Sequence, residues 1–215
     1  VSYFLFSLVL DKAKIIGMII TVASFKGGVG KSTTAIHIAT YLASKRGKTV
    51  LADGDLNRSV IQWAERGGKS VPFLVCDGES IRTDYDHLVI DTAARPTDYD
   101  LAALAETSNL LVIPCTPTTF ALEATIGTLT TLPTDRYRIL LTVVPPKPSR
   151  EGEKAQQALK KAGLPVFKSM IRRFSAYLKA ENAGVPVNQI RDPKASEAWL
   201  EYEAVGKELW KVAKK

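Results

Sequence analysis

From residue 18 onward, short apolar runs alternate with segments whose apolar positions recur at helical spacing. Runs at 18–23, 49–52, 71–76, 88–90, 110–114, 139–144 and 165–168 read as strands. Between them, 34–45, 57–66, 99–106, 119–132 and 151–162 have helical composition. A final helix is expected over 194–215, with Trp199, Tyr202, Val205, Leu209 and Val212 near helical spacing, while 184–187 reads as a loop or short strand. This alternation predicts an α/β fold: a doubly wound, mostly parallel sheet flanked by helices on both faces, with ligand loops at the carboxyl ends of the strands. Nothing in the pattern divides the segment 18–215, so it is read as a single domain. Residues 1–10 are strongly apolar, yet too few to span a bilayer, and they lack the basic segment and cleavage site of a secretory signal. Residues 1–17 are therefore read as an upstream or artificial extension.

Between the first strand and first helix stands Lys26-Gly27-Gly28-Val29-Gly30-Lys31-Ser32-Thr33. A glycine-rich strand-to-helix loop wraps phosphates with backbone N–H groups, its lysine reaches the β/γ-phosphates and its hydroxyl meets Mg²⁺. Gly30, Lys31 and Ser32 fill the last three places of G-x-x-x-x-G-K-[ST], while Phe25 stands in the first. The variant K-G-G-x-G-K-[ST] fits at every position and adds a second lysine, Lys26, which a monomer already using Lys31 does not need.

Two further carboxylate elements end strands. Asp91 closes the run 88–90, where it can hold the Mg²⁺ shell directly or through water. Asp53-Gly54-Asp55 follows the run 49–52; standing alone it would read as a plain turn.

Charge changes the picture toward the C-terminus. The net charge is +7, but residues 1–135 hold 12 Lys+Arg against 14 Asp+Glu, and residues 136–215 hold 17 against 8. Lys147, Arg150, Lys154, Lys160, Lys161, Lys168, Arg172 and Arg173 crowd one segment of that C-terminal third. Such a distribution suits a polyanion, DNA or an anionic membrane, and contacts of this kind carry no base information. The two cysteines, Cys76 and Cys115, lie in apolar runs without a C-x-x-C or a neighbouring histidine, so they read as reduced core thiols of a cytosolic protein. His37, inside a helix, and His87, opening a strand, read as structural.

The K-G-G-x-G-K-[ST] loop, the D-x-D element, Asp91, the I-P-x-T-P run at 113–117 and the segment from Gly184 onward, in this order, resemble the deviant Walker A family of ParA and MinD, a group of P-loop ATPases. That resemblance covers 18–215. It implies ATP and Mg²⁺ as ligands. Gly27, Gly28, Val29, Gly30, Lys31, Ser32 and Thr33 would wrap the phosphates, Ser32, Asp53 and Asp91 would serve the metal, and Asp55 would position the attacking water. Lys26 would cross to the nucleotide of a second copy, making an ATP-dependent homodimer. For the base it points to Leu141-Thr142-Val143-Val144-Pro145 and to Gly184-Val185-Pro186-Val187, hence to Pro145, Pro186 and Val187. The family's segment after Asp91 carries more prolines than Thr92-Ala93-Ala94-Arg95-Pro96, which leaves Arg95 without a role.

Within the family the chain looks like the small ParA-type group of plasmid partition ATPases and McdA, the ATPase that spaces carboxysomes, with McdA favoured. The implied behaviour is a cytoplasmic, nucleoid-associated dimer that binds double-stranded DNA non-specifically until a cargo-bound adaptor, McdB-like or ParB-like, stimulates hydrolysis. Two other classes stay open. A MinD-like membrane positioner would need the apolar residues of the last helix free for lipid, and an iron–sulfur reductase would need the cysteines together.

Overall fold

The computed structural model describes residues 17–214 apart from 69, 82, 83, 94–96, 131 and 133. Residues 1–16 of the expected extension, and Arg95, lie outside the described residues. Six strands, β1 (Met18–Val22), β2 (Thr49–Gly54), β3 (Leu74–Asp77), β4 (His87–Thr92), β5 (Leu110–Cys115) and β6 (Tyr137–Leu141), form one sheet in the order β3-β2-β4-β1-β5-β6. Every pairing is parallel. The chain leaves β1 toward β2 on one side and later fills the other side with β5 and β6. The carboxyl end of β1 therefore sits where the strand order reverses, the place at which open parallel sheets bind ligands.

Seven helices accompany the sheet among the described residues: α1 (Lys31–Ala43), α2 (Ser59–Arg66), α3 (Asp98–Thr107), α4 (Thr119–Leu129), α5 (Glu151–Lys161), α6 (Ser175–Ala183) and α7 (Ala195–Ala213). Successive strand residues point to opposite faces, and both faces are covered. Ile20, Val22, Leu51, Val89, Val112 and Leu140 pack beneath α1, α2 and α7. Leu111, Ile113, Ile139 and Leu141 meet Leu101 of α3, Leu129 of α4 and Leu159 of α5, while Ile19, Val50, Leu88 and Ile90 pack with Ile81 and Tyr85. Burial on both sides is why these strands read as continuous apolar runs.

Two expectations change. Residues 165–168 are not a strand: a single parallel bridge joins Val166 to Ile139. Pro165 has no N–H to extend a ladder, and the N–H groups of Lys168 and Ser169 donate to the Glu208 carboxylate of α7 instead, each at 2.8 Å. Conversely, α6 has no counterpart in the sequence reading. Its buried face is only Ala176 and Ala180, too small to raise a periodic apolar signal. It ends at Gly184 with φ 66°, where a Cβ would stand 2.2 Å from the Gly67 nitrogen after α2. Only glycine allows both that backbone and that approach. One face of α7 is buried as well: Tyr202, Val205, Leu209 and Ala213 face the sheet and α1, Trp199, Trp210 and Val212 are half-buried against them, and Leu200 is exposed. The buried residues are committed to the core and unavailable to lipid, and no helix among the described residues is long and apolar enough to cross a membrane.

Candidate functional site

The loop after β1 is built for an anion. Gly28 and Gly30 each have φ 76°, the left-handed region that a β-carbon disfavours. A Cβ on Gly27, Gly28 or Gly30 would meet no protein atom within 4 Å, so these backbones face open space. Gly30 caps α1 without a side-chain bond, and the first intrahelical bond runs from the Thr34 N–H to the Gly30 carbonyl at 2.8 Å. The N–H groups of Lys31, Ser32 and Thr33 are therefore left at the positive end of the helix, with no acidic residue in its first turn to occupy them. The cleft they border has a volume of about 370 Å³, and Lys26, Asp55, Asn57 and Tyr177 also line it.

Charged groups converge beneath the loop. Lys31 is 9% exposed, and its Nζ lies 2.8 Å from Asp91 Oδ1 and 3.5 Å from Asp55 Oδ2. Asp91 is fully buried at the end of β4, in register with both Val22 and Asp53. Burial holds its carboxyl above the ordinary range; Lys31, and then the Ser32 hydroxyl, pull the other way. Asp91 Oδ2 has no hydrogen-bond partner. A buried carboxylate oxygen without a partner, beside a hydroxyl and an anion cradle, fits a Mg²⁺ shell completed by phosphate oxygens and water. Ser32 and Asp91 are the residues that would hold it.

Asp53, expected to serve the metal, is engaged by backbone donors. Its Oδ1 accepts the Asp55 N–H at 3.1 Å, and its Oδ2 accepts the N–H groups of Val60 and Ile61 at 2.8 and 3.1 Å. It thereby shapes the turn that carries Asp55 and caps the start of α2. Asp55 itself is held by Asn57, whose backbone and side-chain N–H groups both reach Oδ1 at 3.0 Å. That leaves Oδ2 toward Lys31 and the cleft.

Lys26 is exposed at the cleft's mouth and, among the described residues, makes no ion pair or hydrogen bond. Neither Pro145 nor Pro186 nor Val187 lines a described cleft. A smaller cleft of about 130 Å³ beside Gly30 and Thr33 is instead lined by Thr142, Val143, Arg172 and Phe174, and Val185 lines the phosphate cleft. Thr142 Oγ1 donates to the Val29 carbonyl at 2.7 Å, tying the end of β6 to the phosphate loop.

His37 is structural, with a specific duty. Its Nε2 accepts the Val187 N–H at 3.1 Å, and its Nδ1 lies 2.6 Å from the Thr33 carbonyl. The two bonds together require the neutral ring with its proton on Nδ1. Burial lowers its pKa to about 4, against which the Thr33 bond works, and burial also lowers that of His87. The unfolded chain binds the His37 proton near pH 6.5, the folded chain only near 4. Stability is thus full above pH 6.5 and falls as pH drops toward 4, by about 3 kcal/mol. Denaturant unfolding from pH 7.5 to 4.5 should show that loss, and His37→Gln should flatten the slope.

The basic residues are not equivalent. Lys147, Arg150, Lys154, Lys160, Lys161, Lys168 and Arg173 are exposed. Arg172 turns inward, bonded to Glu201 and lying 2.9 Å from Glu197 on α7. Its charge is neutralised, which separates it from the others as a phosphate contact. Cys76 and Cys115 lie on β3 and β5, with three strands between them, and burial pushes both thiols up, Cys76 to about 11. Neither favours the thiolate that a shared cluster requires.

Comparison with known proteins matches residues 20–187 to the CobQ/CobB/MinD/ParA nucleotide-binding domain. The maintenance of carboxysome distribution protein A of Gloeobacter kilaueensis is 35% identical over 202 residues, covering 89% of this chain and 93% of that protein. Among solved structures, a McdA variant of Cyanothece in complex with ATP superposes with TM-score 0.63 at 17% identity, over 89% of this chain and 97% of that one. The septum site-determining protein MinD of Pyrococcus horikoshii with Mg-ADP gives TM-score 0.64 at 17% identity, over 92% and 98%. At such identities the two structures establish the fold alone.

Proposed function

Because the chain belongs to the CobQ/CobB/MinD/ParA nucleotide-binding family and is an ATPase of that family, we propose that it is a positioning ATPase switched by an ATP-dependent homodimer. The observation that carries this reading is Lys26. A lysine at the mouth of a phosphate cleft that already contains Lys31, exposed and without a carboxylate partner among the described residues, is suited to an anion brought from outside the chain, and the triphosphate of a second copy is such an anion. The same edge of the sheet exposes two large apolar side chains, Leu56 (76%) directly after Asp55 and Phe120 (79%) in the first turn of α4. Side chains of that size left in water favour a face that is covered in use.

In the proposed cycle the loop N–H groups and Lys31 hold the phosphates, Asp55 orients the attacking water, and Lys26 of the second copy neutralises charge as the terminal phosphoryl leaves. Bound Mg²⁺, held by Ser32 and Asp91, would supply further neutralisation of the phosphate oxygens. Asp53 acts at one remove, by fixing the turn on which Asp55 stands. The purine would lie in the smaller cleft against Thr142, Val143 and Phe174.

The ATP-bound dimer is proposed to coat DNA non-specifically through Lys147, Arg150, Lys154, Lys160, Lys161, Lys168 and Arg173. A cargo-bound adaptor would then stimulate hydrolysis and release it, giving a cytoplasmic, nucleoid-associated protein. The likeness to a carboxysome distribution protein favours carboxysomes as the cargo over a plasmid. Binding to a random-sequence duplex, measured with ATP, with ADP and without nucleotide, tests the reading: tight, steeply salt-dependent binding in ATP alone is expected. Equal binding in all three states overturns the switch. Lys168→Glu with Arg173→Glu should weaken the ATP-state affinity roughly tenfold or more and flatten its salt dependence, leaving basal turnover unchanged. Arg172→Glu should instead destabilise the fold, by placing a third carboxylate beside Glu197 and Glu201.

A further inference from the structure

A cleft of about 560 Å³ opens at the amino end of β5 and β6, the end of the sheet opposite the phosphate loop. Ser108, Asn109, Arg136, Arg138 and the last turn of α7 line it, with Asp135 also on its wall. Arg136 and Arg138 are two residues apart at the start of β6, so they project on the same face. That face carries Leu140 into the core beneath α7. Arg138 is consequently half-buried, whereas Arg136 is exposed.

Among the described arginines only two are half-buried, Arg138 and Arg172. The chain treats them differently. Arg172 is bonded to Glu201, paired with Glu197 and stacked over Phe174. Arg138 has no carboxylate within ion-pairing reach and no hydrogen-bond partner for its guanidinium among the described residues, and the same holds for Arg136. A partly desolvated guanidinium costs free energy unless an anion meets it. With the exposed fork of Arg136 on the same strand face and lining the same cleft, the pair suits a small tetrahedral anion.

The wall beside them offers a third donor. Asn109 Oδ1 accepts the Ile19 N–H at 2.8 Å, and the Asn109 N–H donates to the Ile19 carbonyl at 2.8 Å. The first bond holds the side chain and the second the backbone that carries it, and the amide NH₂ remains for a ligand. Asp135 and the carbonyl end of α7 repel an anion, which confines it to the arginine side.

We propose that this cleft is a second anion site, distinct from the nucleotide cleft, that takes a phosphate group between Arg136 and Arg138. A free ligand and a lipid headgroup both present such a phosphate; the chemistry at the arginines is the same, and the test separates the two.

The full chain is first saturated with Mg²⁺ and a non-hydrolysable ATP analogue, so that the phosphate loop is filled. Calorimetric titration with inorganic phosphate should then reveal one further site per chain. Arg138→Met, which keeps the aliphatic stem, and Arg136→Ala, at an exposed position that does not endanger folding, should each weaken it roughly tenfold or more, with nucleotide affinity unchanged. In parallel, the loaded chain is sedimented with phosphatidylglycerol and with phosphatidylcholine vesicles. Arginine-dependent capture by phosphatidylglycerol alone assigns the phosphate to a headgroup, whereas phosphate binding without capture assigns it to a free ligand. Neither phosphate binding nor selective capture, or binding that survives both substitutions, overturns the proposal.

Discussion

Asp55→Ala is expected to bind ATP about as tightly as the native chain and to hydrolyse it about 10²- to 10⁴-fold more slowly. Binding should survive because the cradle does not depend on Asp55. Lys31 keeps its 2.8 Å partner Asp91, and the N–H donors of the loop and of α1 are backbone groups fixed by Gly28, Gly30 and the helix start. What disappears is the carboxylate that Asn57 holds toward the cleft through two 3.0 Å bonds. A group so positioned, 3.5 Å from Lys31, suits ordering a water at the terminal phosphate, a step in which placement supplies most of the catalysis. Single-turnover hydrolysis beside a nucleotide-binding isotherm checks both halves. Turnover near the native rate would remove Asp55 from the reaction, and lost binding would make it part of the cradle.

Lys26→Ala should separate the same two functions in another way. Because Lys26 is exposed and makes no contact with a described carboxylate, its removal leaves no buried charge unpaired and should cost the monomer little stability. ATP affinity should stay within a few-fold. Turnover should fall about 10²- to 10³-fold, the range for deleting one donor that meets developing charge. The concentration dependence is the sharper readout. Native turnover per chain should rise with protein concentration as dimers form, and the Lys26→Ala chain should show a low, flat rate. A variant that still accelerates with concentration would place the second lysine outside the interface.

Much of the nucleotide cleft was legible because it is local. The strand-loop-helix geometry depends on the eight consecutive residues Lys26 through Thr33, and the positions of Asp55 and Asp91 were readable because each follows an apolar run. Detail that rests on long-range contacts was not readable. The capping of α2 by Asp53 depends on a turn whose course no periodicity encodes. The smaller cleft depends on Thr142 reaching Val29, 113 positions away, and on Phe174, just ahead of a helix whose buried face is two alanines. The charge count found the basic third of the chain but could not tell Arg172, neutralised by α7, from Arg173, which is exposed. Distinctions of that sort arise from packing between distant elements, and sequence spacing does not carry them.

The most direct test is sedimentation velocity on Asp55→Ala, in which hydrolysis no longer limits the lifetime of the bound state, with Mg²⁺ and ATP, with ADP, and without nucleotide. A dimer in ATP alone that reverts to monomer when Lys26→Ala is added is the expected result. A monomer in all three conditions, or a dimer indifferent to both nucleotide and Lys26, would contradict an interface closed by that lysine.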